Sequence, residues 1–152
     1  MSDASVYQFM ASPTRDPEGL RLLATALMLN GVAMEIAGSS RPASGSEHLI
    51  SHALDQLTTR PGLHGLQVGV ATYIVSRLQN NQSDLIANLF QHTGFWEVVR
   101  QNPFCKSDWL DAVRHAPSIK ADFYTILSER DRTTDVEQII EKDSNLRGCF
   151  MG

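Results

Sequence analysis

Between Asp16 and Gly38 apolar residues recur at helical spacing: Leu20, Leu23, Leu27, Gly31 and Met34 share one face, and Leu22, Leu29, Val32 and Ile36 fill much of the rest. The pattern predicts a helix, and one so apolar around its circumference is expected to be largely buried. Asp16 suits the N-cap and Pro17 the first helical position, while Gly38-Ser39-Ser40 ends the element in a loop carrying Arg41 and Pro42. Ser44-Gly45-Ser46-Glu47 then reads as a capping box, with Ser44 bonding the Glu47 amide and Glu47 reaching back. A second helix follows, carrying His48, Leu49, His52, Ala53 and Leu57 as far as the breaker Arg60-Pro61-Gly62. Val68, Ala71, Thr72, Val75 and Leu78 predict a third helix that begins near His64 and ends near Asn80.

Shorter helices are expected over 84–92, 95–100, 107–115, 122–129 and 134–142, bounded by Gly94, Pro103, Pro117 and the charged turn at 129–132. No strand run, internal repeat or low-complexity segment interrupts them. The expectation is an all-α bundle of about seven or eight helices. Residues 1–15 read as a flexible N-terminal segment, 16–152 as one helical domain, and the residues after Gly148 as a second tail-like stretch.

Composition changes the picture mainly by exclusion. The 152 residues suffice for one ordinary core, and 42% apolar with 20% charged residues is a globular composition. A formal charge of −4 gives no global field for nucleic acid or an anionic membrane, so neither partner is expected. Cys105 and Cys149 are too few for a disulfide framework and fit a reducing cytosol. The first ten residues lack a basic region followed by an apolar run, and no stretch is expected to reach membrane-spanning length without polar breaks. A cytoplasmic protein is expected.

The candidate chemistry lies in three histidines. His48 and His52 are four apart and share a helix face, and His64 follows across a Pro-Gly turn at the start of the next helix, where the dipole disfavours its protonation. Three imidazoles could converge there on a cation. Spacing leaves two readings open: a metal site, or partly buried helix residues hydrogen-bonded to their neighbours.

The wording around the histidines decides between them. The stretch Gly38-Ser39-Ser40-Arg41-Pro42-Ala43-Ser44-Gly45-Ser46-Glu47-His48-Leu49-Ile50-Ser51-His52-Ala53-Leu54-Asp55, then Leu63-His64-Gly65-Leu66-Gln67-Val68-Gly69-Val70, closely resembles sn-glycerol-1-phosphate dehydrogenases and their bacterial relatives. The resemblance extends through 22–34 and through Asp122-Phe123-Tyr124-Thr125-Ile126-Leu127, most of the chain. These enzymes share a superfamily with glycerol dehydrogenase, iron-containing alcohol dehydrogenases and dehydroquinate synthase, in which histidines of the C-terminal helical domain hold the catalytic metal.

The resemblance implies that His48 and His64 are metal ligands and that His52, one turn below His48, faces the substrate and nicotinamide as the catalytic candidate. It implies zinc, with nickel or ferrous iron also suited to such ligands. Ser40, Arg41 and Ser44 become candidates for the phosphate of a polyol-phosphate substrate, although Ser44 and Glu47 could equally do no more than cap the helix. Two departures stand out. Leu66 follows His64-Gly65 where much of the superfamily has an acidic residue. The N-terminal α/β domain, which binds NAD(P) through a glycine-rich turn and supplies an acidic third ligand, has no counterpart here, since no strand, glycine-rich turn and helix occur in succession. Glu47 points about 100° away from His48 on a helix and cannot readily replace that ligand.

The expected function is therefore the C-terminal metal-bearing domain of an NAD(P)-dependent polyol-phosphate oxidoreductase, binding metal weakly and inactive alone, with a separate nucleotide-binding domain as partner. The alternative is a non-catalytic helical interaction or regulatory module derived from such an enzyme. Surfaces the absent domain would cover favour self-association, so a homo-oligomer is expected. Phe95, Trp96, Phe104 and Trp109 read as packing residues, His92 and His115 as helix-end residues, and neither cysteine as a nucleophile.

Overall fold

The structure is a computed structural model in which residues 9–10, 13–14, 16–59 and 61–152 are described. The expected N-terminal segment, residues 1–15, falls mostly outside them, as does Arg60 of the predicted turn. Eight α-helices form among the described residues, with one two-stranded ladder, so the fold is the all-α bundle the periodicity predicts. The chain divides into two compact units: residues up to Ser44 with Asp84–Gly94, and Gly45–Ser83 with Phe95–Gly152.

In the first unit α1 spans Pro17–Ala37. Its start is fixed as the sequence predicts: the Gly19 amide donates to the Asp16 carboxylate at 2.8 Å, and the Thr14 hydroxyl donates to it at 2.8 Å. These two bonds, the amide first, hold the Asp16 carboxyl below the usual carboxylate range. Its end is a left-handed Gly38, φ 59°, whose amide and that of Ser39 return to the Glu35 and Met34 carbonyls.

The expected burial of α1 is overturned. Only Gly19 and Ala26 of this helix are buried, while Leu27 is 63% exposed, Met28 74% and Ile36 82%. Periodicity reports a surface suited to burial; it does not provide the covering surface. α1 is also long and apolar enough to cross a membrane by length and composition, a length it reaches with Glu18, Arg21 and Glu35 as polar breaks. Core helices of soluble proteins share that property. A short 3₁₀ turn, Arg41–Ala43, follows. Residues 84–94 belong to the same unit, and there the His92 ring donates to the Asn88 carbonyl at 2.7 Å, a helix-end role as expected.

In the second unit α2 (Ser46–Leu57) packs against α3 (His64–Gln79) and against α6 (Lys106–Ile119), and α8 (Thr133–Lys142) lies on both α3 and α6. The core comprises Leu49, Ile50 and Ala53 of α2, Val70, Ala71 and Ile74 of α3, and Trp109, Ala112 and Ala116 of α6. Trp96 and Val99 join it from α5 (Phe95–Gln101), which follows α4 (Ser83–Thr93). Both tryptophans are fully buried, the packing role the sequence predicts.

Four local expectations are corrected. The cap of α2 is Gly45, without a side-chain cap bond; the helix starts too late for Ser44 to reach it, and the Glu47 carboxylate accepts from the Gly45 amide at 2.7 Å. Pro117 lies inside α6, whose last turn forgoes only one amide donor there. The helix predicted over 122–129 shrinks to α7, Ile126–Glu129, because Thr125 caps it through the Leu127 amide. Finally, β1 (Phe104–Cys105) pairs in parallel with β2 (Phe150–Met151), and Cys149 is fully buried, so the residues after Gly148 are a docked element.

Candidate metal centre

Two helices and a turn bring the three predicted histidines together. α2 is amphipathic, with Leu49, Ile50, Ala53 and Leu54 buried, which leaves His48 and His52 half-buried on the neighbouring face. The turn at Pro61-Gly62 reverses the chain and α3 begins at His64, which is exposed. The ring centroids of His48 and His64 are 5.6 Å apart, those of His52 and His64 5.9 Å, and those of His48 and His52 6.4 Å. Two imidazoles on one tetrahedral zinc hold their centroids about 5 Å apart, so the His48–His64 pair lies nearest to that geometry.

Each ring of that pair is held through Nδ1. The His48 Nδ1 lies 2.9 Å from the Glu47 carboxylate, which only accepts, so this nitrogen donates. Glu47 is thus on the Nδ1 side of His48, where it orients the ring. Burial acts to raise the Glu47 carboxyl, but hydrogen bonds from His48 and from the Glu47 and Gly45 amides outweigh it and keep the group below the usual carboxylate range. The His64 Nδ1 lies 2.8 Å from the Ser51 hydroxyl, which is 2.6 Å from the Gln67 side-chain carbonyl. Gln67 Nε2 in turn donates to the Asp55 carboxylate at 3.3 Å. Ser51 and Gln67 are buried.

Nε2 of His48 and Nε2 of His64 are therefore the nitrogens left for a ligand, the donor set a divalent transition metal takes from imidazole. That chemistry fits two ligands of a metal site. Among the described residues, no group of three or more His, Cys, Asp or Glu side chains is placed to hold an ion. His52 is pushed below the ordinary imidazole value by burial first and then by the neighbouring His64, Lys120 and His48, with Asp55 acting oppositely.

Sequence reasoning missed Ser51, Gln67, Asp55 and Lys120. A signal existed for two of them: Ser51 is three residues after His48, and Gln67 three after His64, polar positions amid buried ones. Leu66 brings no polar group to His64; Gln67, the next residue, is linked to the ring through Ser51. Ser40, Arg41 and Ser44 belong to the other compact unit. There the Arg41 amide donates to the Ser39 hydroxyl at 3.1 Å, the Ala43 amide to the Ser40 carbonyl at 3.0 Å, and Ser44 is extended.

No protein-family model matches the chain. Individual relatives do. It is 45% identical over 107 residues to a glycerol-1-phosphate dehydrogenase of Methanosarcina acetivorans, covering 70% of this chain and 30% of the relative. It is 39% identical over 133 residues to that of Pyrococcus horikoshii, covering 88% of this chain and 38% of the relative. For the Methanothermobacter thermautotrophicus enzyme the match is 35% over 125 residues, 82% of this chain and 36% of the relative. All three carry NAD(P)+ in their names. The chain spans about a third of the length of these curated relatives. It is a homologue of the glycerol-1-phosphate dehydrogenases, matching a portion that resembles the C-terminal domain of that family.

Proposed function

We propose that this chain is the metal-bearing, substrate-binding part of an NAD(P)-dependent oxidoreductase acting on a small polyol phosphate, and that it lacks the reaction when isolated. The observation that carries this reading is the His48–His64 pair, 5.6 Å between centroids, with an oxygen at each Nδ1 and a free Nε2 on each ring. His48 and His64 would hold the metal, zinc by preference, with a third, acidic ligand and the NAD(P) site coming from the portion of the relatives that this chain does not match. The bound metal would supply Lewis acidity toward the substrate oxygen and stabilise its alkoxide character during hydride transfer.

The chain's own residues do the rest. Glu47 and Ser51 orient the two ligand rings. His52, 5.9 Å from His64 by ring centroids, would bind a substrate hydroxyl, and its depressed proton affinity would keep a lone pair for that bond. Within their own compact unit, Ser40, Arg41 and Ser44 would offer hydroxyls and a guanidinium to a phosphate group. Its cytoplasmic location and its self-association are part of the same proposal.

Zinc titration of the chain against a His48→Ala, His64→Ala variant tests the ligand assignment. Weak binding that the variant abolishes is expected; equal affinity removes the assignment, and micromolar or tighter binding contradicts an incomplete ligand set. The chain alone should not oxidise sn-glycerol-1-phosphate with NAD(P)+, and Arg41→Ala should weaken its affinity for that ester.

A further inference from the structure

The hydrogen bonds behind His64 have only one consistent direction. The Asp55 carboxylate accepts from Gln67 Nε2 at 3.3 Å, which fixes the Gln67 amide with Oε1 turned toward Ser51. Oε1 can only accept, so the single proton of the Ser51 hydroxyl is committed to it at 2.6 Å. What remains on the Ser51 oxygen for His64 is a lone pair. The 2.8 Å contact between that oxygen and His64 Nδ1 closes only when Nδ1 carries the proton.

We propose that Ser51 and Gln67 are positioning residues that lock His64 as its Nδ1–H tautomer and so keep Nε2 bare for a ligand. This rests on the reading of His64 as a metal ligand for its purpose, though not for its geometry. The two rings of the pair are held by different means. His48 is oriented by a charged acceptor from its own helix, Glu47, whereas His64 is oriented across the α2–α3 packing by a neutral hydroxyl whose own proton is pinned. Remove the Gln67 carbonyl and the Ser51 proton is released; it can then be donated to Nδ1, moving the ring proton to Nε2 and blocking the ligating position. Ser51 is fully buried and Gln67 is 1% exposed, so water does not offer an easy substitute acceptor.

The test is nitrogen-15 NMR of the imidazoles in the metal-free chain, above the ordinary imidazole titration range. The unaltered chain should show His64 with a protonated Nδ1 and a bare Nε2. Gln67→Met and Ser51→Ala should move most of the His64 population to Nε2–H while His48, held by Glu47, keeps its pattern as an internal reference. Ser51→Thr retains the required hydroxyl and should retain the Nδ1–H form. An unaltered chain with His64 already as Nε2–H, or Gln67→Met and Ser51→Ala spectra identical to it, overturns the proposal. So does a Ser51→Thr chain that keeps the His48 pattern but loses that of His64.

Zinc affinity separates this inference from the reading beneath it. A tautomer switch accompanied by an affinity loss of about 10- to 100-fold supports both. A switch with unchanged affinity upholds the Ser51–Gln67 lock and removes His64 from the ligand set.

Discussion

Gly69 of α3 lies directly against the ring of Phe95: a Cβ at position 69 would come within 2.7 Å of the Phe95 Cε2 and closer still to its Cζ. The ring has little room to retreat, because Phe95 is edge-on to Trp96 at 5.4 Å between centroids and Trp96 is fully buried. Gly69→Ala should therefore destabilise the unit by about 1–3 kcal/mol through overpacking, even though alanine is the better helix former. The urea midpoint measures it; an unchanged or higher midpoint would show that Phe95 yields freely.

Tyr73 joins α3 to the end of α8. Its hydroxyl donates to the Asp143 carboxylate at 2.8 Å and accepts from Asn145 Nδ2 at 2.9 Å, while Arg77 lies 3.2 Å from the same carboxylate oxygen. Burial, reinforced by the bond to and charge of Asp143 and opposed by Asn145, pushes the phenol up to about 12. The folded value lies above the unfolded one of about 10, so this contribution to stability is complete below pH 10 and lost as pH rises toward 12. Tyr73→Phe should cost about 1–2 kcal/mol at neutral pH, and its deficit should shrink above pH 10 in alkaline denaturation curves.

At the start of α8 the Asp131 carboxylate accepts from both the amide and the hydroxyl of Thr133, at 2.8 and 2.5 Å. The hydroxyl bond, then the amide bond, hold its carboxyl below the usual range. Because the folded value is depressed, the stabilisation is present above the unfolded carboxylate value and disappears as pH falls through the folded one. Asp131→Ala should be less stable than the unaltered chain at pH 7 and indistinguishable from it once both are fully protonated. Paired thermal melts across that range would show the convergence.

Glu47 holds His48 by a carboxylate 2.9 Å from Nδ1 and also accepts from the Gly45 amide. Glu47→Ala should lower zinc affinity about 10- to 100-fold with the helix intact, whereas Glu47→Gln, which keeps an acceptor oxygen, should lose less. Calorimetric titration with circular dichroism as a fold control distinguishes the two variants.

Where structure is set within a few residues, the sequence announced it. Asp16-Pro17 and Gly38 bound α1 because caps act through the nearest turn, and the i, i+4 spacing of His48 and His52 with the Pro61-Gly62 reversal placed three imidazoles together. What depends on partners distant in sequence stayed hidden. The Ser51–Gln67–Asp55 chain exists only once α2 and α3 have packed in one register, and serine or glutamine in a helix carries no mark of which carbonyl or ring it will meet. The Ser44 cap failed because Gly45 is the residue before the first helical turn, a one-residue shift that a motif tolerates in writing but a hydrogen bond does not. The apolar face of α1 is exposed for a related reason, since its pattern describes only one side of a contact.

The ladder between residues 104–105 and 150–151 also orders events in time. Phe150 stands edge-on to Trp109, 5.3 Å between centroids, and 6.1 Å from Phe104, so the aromatic cluster beside α6 is sealed by residues translated more than forty positions after its first members. On the ribosome, α2, α3 and α6 must therefore wait with that cluster open, and this unit can reach its final packing only after Cys149 to Met151 have emerged.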